Sequence, residues 1–289
     1  MAISKEITAA APATSLHRVG IRPKSDEVQP CCLTIAGSDS GGNAGVQADL
    51  RAFHAYGLHG CTVFAALTAQ NPFGVSAIHA VPPDFVAAQL DAVLGVYAIK
   101  ALKTGMLADA AAIEMVADRV SRHPEIAKVV DPVMVATSGA KLIADDAVGA
   151  LTARLLPCAT VITPNLPEAE VLWGRAISGR NDVREAAKAL HGRFDCAVLV
   201  KGGHATGDLA AAEDTLYDGE QFYAFTLPHI ENPVSTHGTG CSLAAALAAE
   251  LALGRALPDA VSGAKAFVHR AIATSYWVGP NCGVLGWGN

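Results

Sequence analysis

The 289-residue chain lacks the cysteine pattern of a disulfide-stabilised domain or of a structural zinc site. Its seven cysteines are odd in number, and no two of them have the CxxC spacing. Disulfide frameworks pair cysteines in even numbers, and structural zinc sites use closely spaced ligands. We therefore expect neither feature, and a reducing, cytoplasmic compartment is the natural location for such a chain.

Long apolar runs and clusters of basic residues are also missing. A membrane-spanning helix needs roughly 20 nearly uninterrupted apolar residues. The stretch from Leu243 to Leu253 is shorter than that and contains Glu250. The formal net charge is −6, without a basic stripe, which disfavours nucleic-acid binding. We expect neither membrane insertion nor a nucleic-acid partner.

The first 30 residues differ in character from the rest of the chain. They carry mixed charges and no continuous apolar segment, unlike a secretory signal. Glu6, Asp26 and Glu27 argue against a transit peptide. We predict a disordered N-terminal tail at residues 1–30, followed by one domain at residues 31–289.

From residue 31 onward, short apolar strands alternate with amphipathic helices. Apolar residues at helical spacing, such as Val46, Leu50 and Phe53, predict the helices, and Asp84 is a candidate cap for one of them. The predicted strands include CLTIA, CTVFAAL, VSAIHAV, IKALKTG, AKVVDPV, ATVIT and CAVLVKG, and DTLYD with QFYAFTL predicts a hairpin. This alternation predicts one α/β domain with a mostly parallel sheet and helices on both faces. Ligands bind such sheets beyond the carboxyl ends of the strands.

Two glycine-rich turns lead from strands into helices, and neither matches a Rossmann fingerprint or a P-loop. The first, residues 37–45, can equally be an ordinary strand-to-helix turn. In the second, THGTGC, Gly238 and Gly240 permit an amide-lined anion site at a helix start. Cys241 in that position predicts a thiol of lowered pKa beside a phosphoryl group, with a buried structural cysteine as the alternative.

Polar and sulfur-containing side chains follow several other strands. Gln70 offers a donor and an acceptor that suit the edge of a nitrogen heterocycle, although a solvated loop glutamine is the alternative. Met106 can pack on an aromatic ring or simply in the core. Lys201 can hold a phosphate as a point charge.

Acidic and amide groups stand beside prolines in VVDPVM and TPNLPEAE. Asp131, Asn165 and Glu168 could share a hydrated Mg²⁺ held on phosphate oxygens. The alternative is that Asn165 and Glu168 are only a helix cap and its first-turn acid.

Taken in order, these segments resemble the ribokinase-like fold and, within it, the hydroxymethylpyrimidine/phosphomethylpyrimidine kinases of thiamin biosynthesis. The resemblance covers about residues 31–273. It rests on TIAGSDSGGNAGVQADL, ALTAQN, KTGML, VVDPVM, TPNLPEAE, LVKGGH and STHGTGCSLAAALA. It implies a single domain that uses ATP and Mg²⁺ to phosphorylate 4-amino-5-hydroxymethyl-2-methylpyrimidine and then its monophosphate.

The resemblance also implies roles for individual residues. The positions that match the pyrimidine site are Gln70, Asp49, Ala44, Met106 and Val133. Asp131 and Glu168 match the magnesium positions, and the nucleotide and its phosphates are matched by Asn165, Lys201 and Thr239. Gly238, Gly240 and Cys241 match the anion hole and the general base, where the wider superfamily has an aspartate.

One position departs from the family pattern and one segment does not match it. Asn43 stands where glycine is usual, and we expect a small effect because asparagine tolerates left-handed dihedrals. The last residues, SYWVGPNCGVLGWGN, match poorly and are assigned no role.

Two alternative functions remain open. One is a pyridoxal-type kinase of the same fold, and the other is a non-catalytic relative that binds pyrimidine. A sugar kinase is disfavoured because the first strand runs directly into the glycine turn, which leaves no room for lid strands. The family resemblance implies a homodimer.

Overall fold

The computed structural model describes residues 5–8, 28–134, 145–202 and 213–288. The strands are β1 (Lys5–Thr8), β2 (Cys31–Asp39), β3 (His59–Asn71), β4 (Gly74–Ala80), β5 (Ile99–Thr104), β6 (Ala127–Val130), β7 (Val161–Ile162), β8 (Ala197–Val200), β9 (Glu213–Tyr217), β10 (Phe222–Thr226), β11 (Tyr276–Gly279) and β12 (Cys282–Val284). The helices are α1 (Gly45–Ala55), α2 (Pro83–Leu94), α3 (Ala110–Val120), α4 (Asp145–Ala150), α5 (Leu166–Trp173), α6 (Arg180–Phe194), α7 (Thr239–Ala252) and α8 (Leu257–Ala273). A π-helical turn (Leu151–Leu155) and a 3₁₀ turn (Leu156–Cys158) follow α4.

Ten of these strands form one sheet in the order β1-β10-β9-β8-β7-β6-β5-β2-β3-β4. Six neighbouring strands in the middle of this order, β8-β7-β6-β5-β2-β3, pair in parallel. Antiparallel pairing joins β4 to β3 at one edge and joins β9 to β8 and β10 near the other. The predicted mostly parallel sheet is confirmed, and the predicted hairpin is β9–β10.

Helices cover both faces of the sheet, as the alternation predicts. Along β2, Leu33 and Ile35 face the core beneath α2, α3 and α6, whereas Cys32 faces the core shared by α1, α7 and α8. This period of two is the geometry of a strand with a buried surface on each side. The sheet therefore has two apolar cores in one domain.

Helix α7 lies deep in the second core. Residues 242–250 are all buried, and most of them are alanine. Alanine has the highest helix propensity, and its small side chain allows neighbouring helices and the sheet to approach closely. The alanine-rich segment therefore lets α7 pack closely on the central strands β2, β5 and β6.

Two helix starts differ from the predictions. Asp84 does not cap α2: Pro82 is the N-cap residue, and Asp84 lies inside the first turn, where its carboxylate accepts from Phe85 N–H. The two prolines already begin the helix, because proline suits its first turn. Helix α7 begins at Thr239, two residues before the predicted Cys241, because Gly238 occupies the N-cap position.

The predicted disordered tail is described only in part. Lys5–Thr8 forms strand β1, which pairs in parallel with β10 at the edge of the sheet. That pairing was not predicted. Residues 1–4 and 9–27 lie outside the described residues, so their disorder and the domain boundary at residue 31 stay predictions. Every helix in the described ranges is too short or too polar to cross a bilayer.

The C-terminal segment, which the sequence left without a role, closes the second core. It forms the β11–β12 hairpin and then buries Leu285 and Trp287. The Trp287 indole N–H donates to Ser242 Oγ of α7 at 2.9 Å, and Arg51 stacks over its ring. This segment thus packs against α7 close to where that helix begins.

We predict that Trp287→Ala lowers the free energy of unfolding by about 3–5 kcal/mol, because it removes a buried aromatic side chain and leaves a cavity. Urea denaturation measures the change. The matched control is Trp277→Ala, whose side chain is 59% exposed and should contribute within about 0.5 kcal/mol. Similar losses in both variants would contradict a structural role for the C-terminal segment.

Candidate active site

The ends of β2, β3, β5 and β6 and the start of α7 enclose a cavity of about 150 Å³. It lies at the carboxyl edge of the parallel strands, where ligands bind in such sheets. Eleven residues predicted from the sequence line it together: Ala44, Gln70, Met106, Asp131, Val133, Asn165, Glu168, Lys201, Gly238, Gly240 and Cys241. Two predicted residues, Asp49 and Thr239, do not line it.

The first glycine turn is organised by Asp39, a residue that sequence reasoning did not place in the site. Its carboxylate accepts hydrogen bonds from the backbone N–H groups of Gly41, Asn43 and Ala44 at 2.8–2.9 Å. Asp39 is only 3% exposed, so these bonds compensate its burial. Asn43 is not among the residues with positive φ, and its departure from glycine therefore causes no left-handed strain.

The second glycine turn depends on Gly238. Its φ is +86°, and a Cβ there would overlap the carbonyl oxygen of Asn43 in the first turn. Only glycine therefore lets the two turns pack against each other. Gly240 is different, because a Cβ there would lie 3.6 Å from Lys201 Nζ and 4.0 Å from Asp131 Oδ2, at ordinary contact distance.

The start of α7 supplies backbone amides to the cavity. Gly240 and Cys241 lie in the first turn, whose N–H groups have no carbonyl partner within a helix. Together with the helix dipole they favour an anion at this point. Gly240, Cys241 and Lys201 line the same cavity, so the anion site stays a prediction that this arrangement supports.

Lys201 and Asp131 form a largely buried ion pair at 2.7 Å. The same Asp131 oxygen, Oδ1, also accepts from Thr163 Oγ1 at 2.9 Å. Burial alone would lower the pKa of Lys201, but the carboxylates of Asp131 and Glu168 raise it. Lys201 therefore remains a fixed positive charge at the cavity wall.

Glu168 fills the capping role that the sequence left as one of two alternatives, and it also faces the cavity. It forms a capping box with Asn165, in which each side chain accepts from the other residue's backbone N–H at 2.9 Å. Both residues also line the cavity. Burial raises the pKa of Glu168, Lys201 opposes that rise, and Asp131 adds to it. A cation that enters the cavity would therefore stabilise the charged form of this carboxylate.

A second ion pair lies beneath the cavity and was not foreseen. Lys103 Nζ donates to both oxygens of Asp49, at 2.9 and 3.1 Å, and both side chains are fully buried. Thr34 also donates to Asp49. Asp49, predicted to bind substrate, is thus occupied by protein partners, and Lys103 reaches the cavity instead. A lysine inside the apolar strand IKALKT was the sequence signal, because buried lysine requires a carboxylate partner.

The expectation of a lowered thiol pKa at Cys241 is wrong. Burial raises the pKa of the Cys241 thiol, and the ammonium of Lys103 only partly offsets this effect. The carboxylates of Asp49 and Asp131 raise it further, while the Gly45 amide lowers it. A helix start depresses a thiol pKa in a hydrated or cationic setting, but here desolvation outweighs it.

Residues predicted to bind the heterocycle line the same cavity. Gln70 and Met106 line it with Val133. The Gln70 side-chain oxygen accepts from Thr68 Oγ1 at 3.2 Å, which orients the amide. His237, also unpredicted, lines the cavity, and its Nε2 is a buried atom without a hydrogen-bond partner in the described structure.

Comparisons with known proteins agree with this geometry. A family model described as Phosphomethylpyrimidine kinase matches residues 39–286. The chain is 48% identical over 244 residues to the hydroxymethylpyrimidine/phosphomethylpyrimidine kinase of Rhizobium meliloti, covering 84% of this chain and 90% of the relative. It is 49% identical over 241 residues to the thiamine biosynthesis bifunctional protein ThiED of Geobacter sulfurreducens, covering 83% of this chain but only 48% of that longer protein.

Two solved structures give the same fold. An ADP complex of Bacillus subtilis pyridoxal kinase has a TM-score of 0.80 at 35% identity, covering 90% of this chain and 97% of its own. The phosphomethylpyrimidine kinase of Clostridium difficile has a TM-score of 0.75 at 35% identity, covering 85% and 100%. The predicted ribokinase-like fold is confirmed. Fold and site together define a kinase of that class, and the chain belongs to the phosphomethylpyrimidine kinase family.

We predict that Cys241 reacts slowly with an alkylating reagent at neutral pH, because the thiolate is the reactive form and burial raises the thiol pKa. The reaction should accelerate steadily as the pH rises above about 8.5, the ordinary cysteine value. Mass spectrometry of peptides from the wild type and a Cys241→Ser control identifies the modified site. Fast, pH-independent modification of Cys241 between pH 6 and 8 would contradict the prediction.

Proposed function

We propose that this protein transfers the γ-phosphoryl group of ATP to 4-amino-5-hydroxymethyl-2-methylpyrimidine and then to the resulting monophosphate, as a step of thiamine biosynthesis. The observation that carries the proposal is the arrangement of one cavity: Gln70 and Met106 line it together with Lys201 and the first turn of α7. A heterocycle pocket thus adjoins an anion site, as transfer to a hydroxymethyl substituent requires. The names of the relatives support the same reaction.

Recognition of the pyrimidine would depend on paired polar groups and an apolar contact. The Gln70 amide can donate and accept at once, which matches an aminopyrimidine edge. Met106 and Val133 supply apolar and polarisable surface for the ring. Asp49 would act from below by fixing Lys103, rather than through direct contact with the substrate.

The phosphate groups would lie between the start of α7 and Lys201. Amides of the first turn and the lysine ammonium offset charge that spreads over the phosphoryl oxygens during transfer. Asn165 lies next to Lys201 and lines the same cavity, and it would contact the nucleotide there. Thr239 lies outside the cavity and donates to Thr236 O at 3.0 Å, so its contribution is to the shape of the turn.

Asp131 and Glu168 fit a role in holding Mg²⁺. Within the described ranges no group of three or more His, Cys, Asp and Glu side chains is placed to hold a metal. Mg²⁺ is usually bound through one or two carboxylates together with water and substrate phosphates, so a pair is sufficient. When bound, the ion would neutralise charge on the phosphate oxygens. Burial raises the pKa of Glu168, so a bound cation would offset part of the cost of its buried negative charge.

The role of Cys241 follows from its protonated thiol. In a loose transition state the acceptor hydroxyl loses its proton late, so a strong base is not needed. We therefore propose that Cys241 orients the acceptor oxygen by a hydrogen bond. The nearby Lys103 ammonium, which also lines the cavity, would stabilise negative charge that develops on that oxygen. The hydroxyl proton then leaves toward the phosphoryl oxygens after the new P–O bond begins to form.

A pyridoxal kinase is the second candidate, and one observation favours it. The pyridoxal kinase of Bacillus subtilis superimposes with a higher TM-score than the phosphomethylpyrimidine kinase of Clostridium difficile, at the same identity. Both substrates are hydroxymethylated nitrogen heterocycles. The complete set of Asp131, Glu168, Lys201 and Cys241 argues against a non-catalytic pyrimidine-binding protein.

We also propose a homodimer and a cytoplasmic location. The edge strand β4 and its hairpin with β3 expose Leu67, Phe73 and Ile78, which are 44–71% accessible. Within the described part of the chain β4 is an edge strand, and exposed apolar groups on such a strand favour association. All seven cysteines are free, which supports a reducing compartment.

We predict ATP turnover with the hydroxymethylpyrimidine and with its monophosphate, measured as ADP release with each acceptor separately. Pyridoxal should give a kcat/KM lower by roughly tenfold or more, because its ring edge does not match the Gln70 amide. Equal or better turnover of pyridoxal would favour the second candidate. Nucleotide binding without turnover of any of the three would contradict the proposed function.

A second prediction separates the two glycines at the start of α7. Gly240→Ala should keep the fold but slow transfer by about tenfold or more, because its methyl group would occupy cavity space beside Lys201 and Asp131 where we place the phosphate. Gly238→Ala should instead lower the free energy of unfolding by more than about 1 kcal/mol, because of its positive φ and its overlap with Asn43. Urea denaturation and kcat measurements distinguish the two effects. Full activity of Gly240→Ala would place the phosphate elsewhere.

A further inference from the structure

We infer that Asp214 of β9 and Lys265 of α8 are a positioning pair that holds Lys201 at the phosphate site. Neither residue lines the cavity, so they act through the backbone that carries Lys201. The inference rests on the proposed function, because it takes Lys201 as the lysine that contacts phosphate.

One side of the Lys201 backbone is held by the short segment between β7 and α5. Lys201 N–H donates to the carbonyl of Pro164 at 2.9 Å, and Lys201 forms an isolated bridge with Asn165. Strand β8 ends one residue earlier, at Val200, so this contact continues the pairing by a single residue. The lysine thus lies where regular sheet pairing stops.

The other side is held by Asp214. The backbone N–H of Gly202 donates to Asp214 Oδ1 at 2.9 Å, in a buried setting. A Cβ at Gly202 would overlap the carbonyl oxygen of Glu213, so the two chains approach as closely as backbone allows. The Asp214 carboxylate therefore takes the place of the next backbone hydrogen bond between strands, directly after Lys201.

Lys265 keeps that carboxylate in place. Its Nζ donates to the second oxygen of Asp214, Oδ2, at 2.7 Å. The two side chains are only 6% and 11% exposed. A buried carboxylate without a cation is unfavourable and would turn toward water. Removing Lys265 should therefore weaken the hydrogen bond from Gly202 N–H to the Asp214 carboxylate.

The consequence falls on the position of the Lys201 ammonium. Its Nζ is bound to Asp131 at 2.7 Å, and shifts of about 1 Å in such a group can greatly reduce phosphoryl transfer. Gln70 lies in β3 and Met106 lies just after β5, so pyrimidine recognition by these residues should not respond. The pair therefore predicts a loss that is specific to the nucleotide.

The test compares binding of ADP and of the hydroxymethylpyrimidine, measured by calorimetry on the full-length protein. Lys265→Met should weaken ADP binding about tenfold, as expected for one misplaced charge-assisted contact, and change pyrimidine affinity less than twofold. The double variant Asp214→Asn/Lys265→Gln replaces the ion pair by a neutral hydrogen-bonded pair that can still accept from Gly202. It should recover most of the ADP affinity.

Arg255→Met is the matched control. Arg255 pairs at 2.7 Å with Glu250, another carboxylate that is only 6% exposed, at the far end of α7. Its loss should change stability without a selective effect on ADP. If Lys265→Met does not fold, Lys265→Gln takes its place in the same comparison.

The inference is overturned if the Lys265 variant binds ADP like the wild type, or if Arg255→Met weakens ADP binding equally. It is also overturned if the double variant folds but recovers no affinity. Failure of the proposed function has a different signature, namely wild-type protein that binds ADP but phosphorylates none of the candidate acceptors. The ADP comparison remains decisive for the pair in that case.

Discussion

The site depends on the close approach of two glycine-rich turns. Gly238, at the start of α7, packs on the carbonyl oxygen of Asn43, and no larger residue fits there. The first turn is held by Asp39 and the second by the buried, alanine-rich α7. This contact brings the turn that follows β2 against the backbone amides at the start of α7. Without it, Gln70 and Met106 would not share one cavity with Lys201 and the first turn of α7.

Charge beneath and beside the cavity is arranged in compensating pairs. Asp49 pairs with Lys103 below, and Asp131 pairs with Lys201 at the wall. Buried ion pairs contribute little net stability, because desolvation offsets most of their attraction. Their value here is positional, since each lysine is held in a known place at constant charge. Cys241 lies among these groups, and its thiol pKa reflects burial more than the helix start.

Much of the fold could be read from local patterns. Apolar segments that alternate with amphipathic helices predict a parallel sheet, because each strand and helix carries its own periodicity. The cavity residues Asp131 and Lys201 follow directly after strands, and Gln70 lies in the last residues of one. Such positions point to a shared cavity, since the carboxyl ends of parallel strands meet at one edge. The motif around Gly238 and Gly240 signals an anion site for the same local reason.

What the sequence by itself determined was therefore the layered α/β architecture, the family and most of the cavity lining, because these depend on residues that are neighbours in the chain. Tertiary structure alone decided which partner each buried charge found. Asp49 turned to Lys103, 54 residues away, and Trp287 reached Ser242, 45 residues away. Such pairings arise from the packing of distant elements, and so does the desolvation that raises the pKa of Cys241. Neither leaves a periodic signal in the chain.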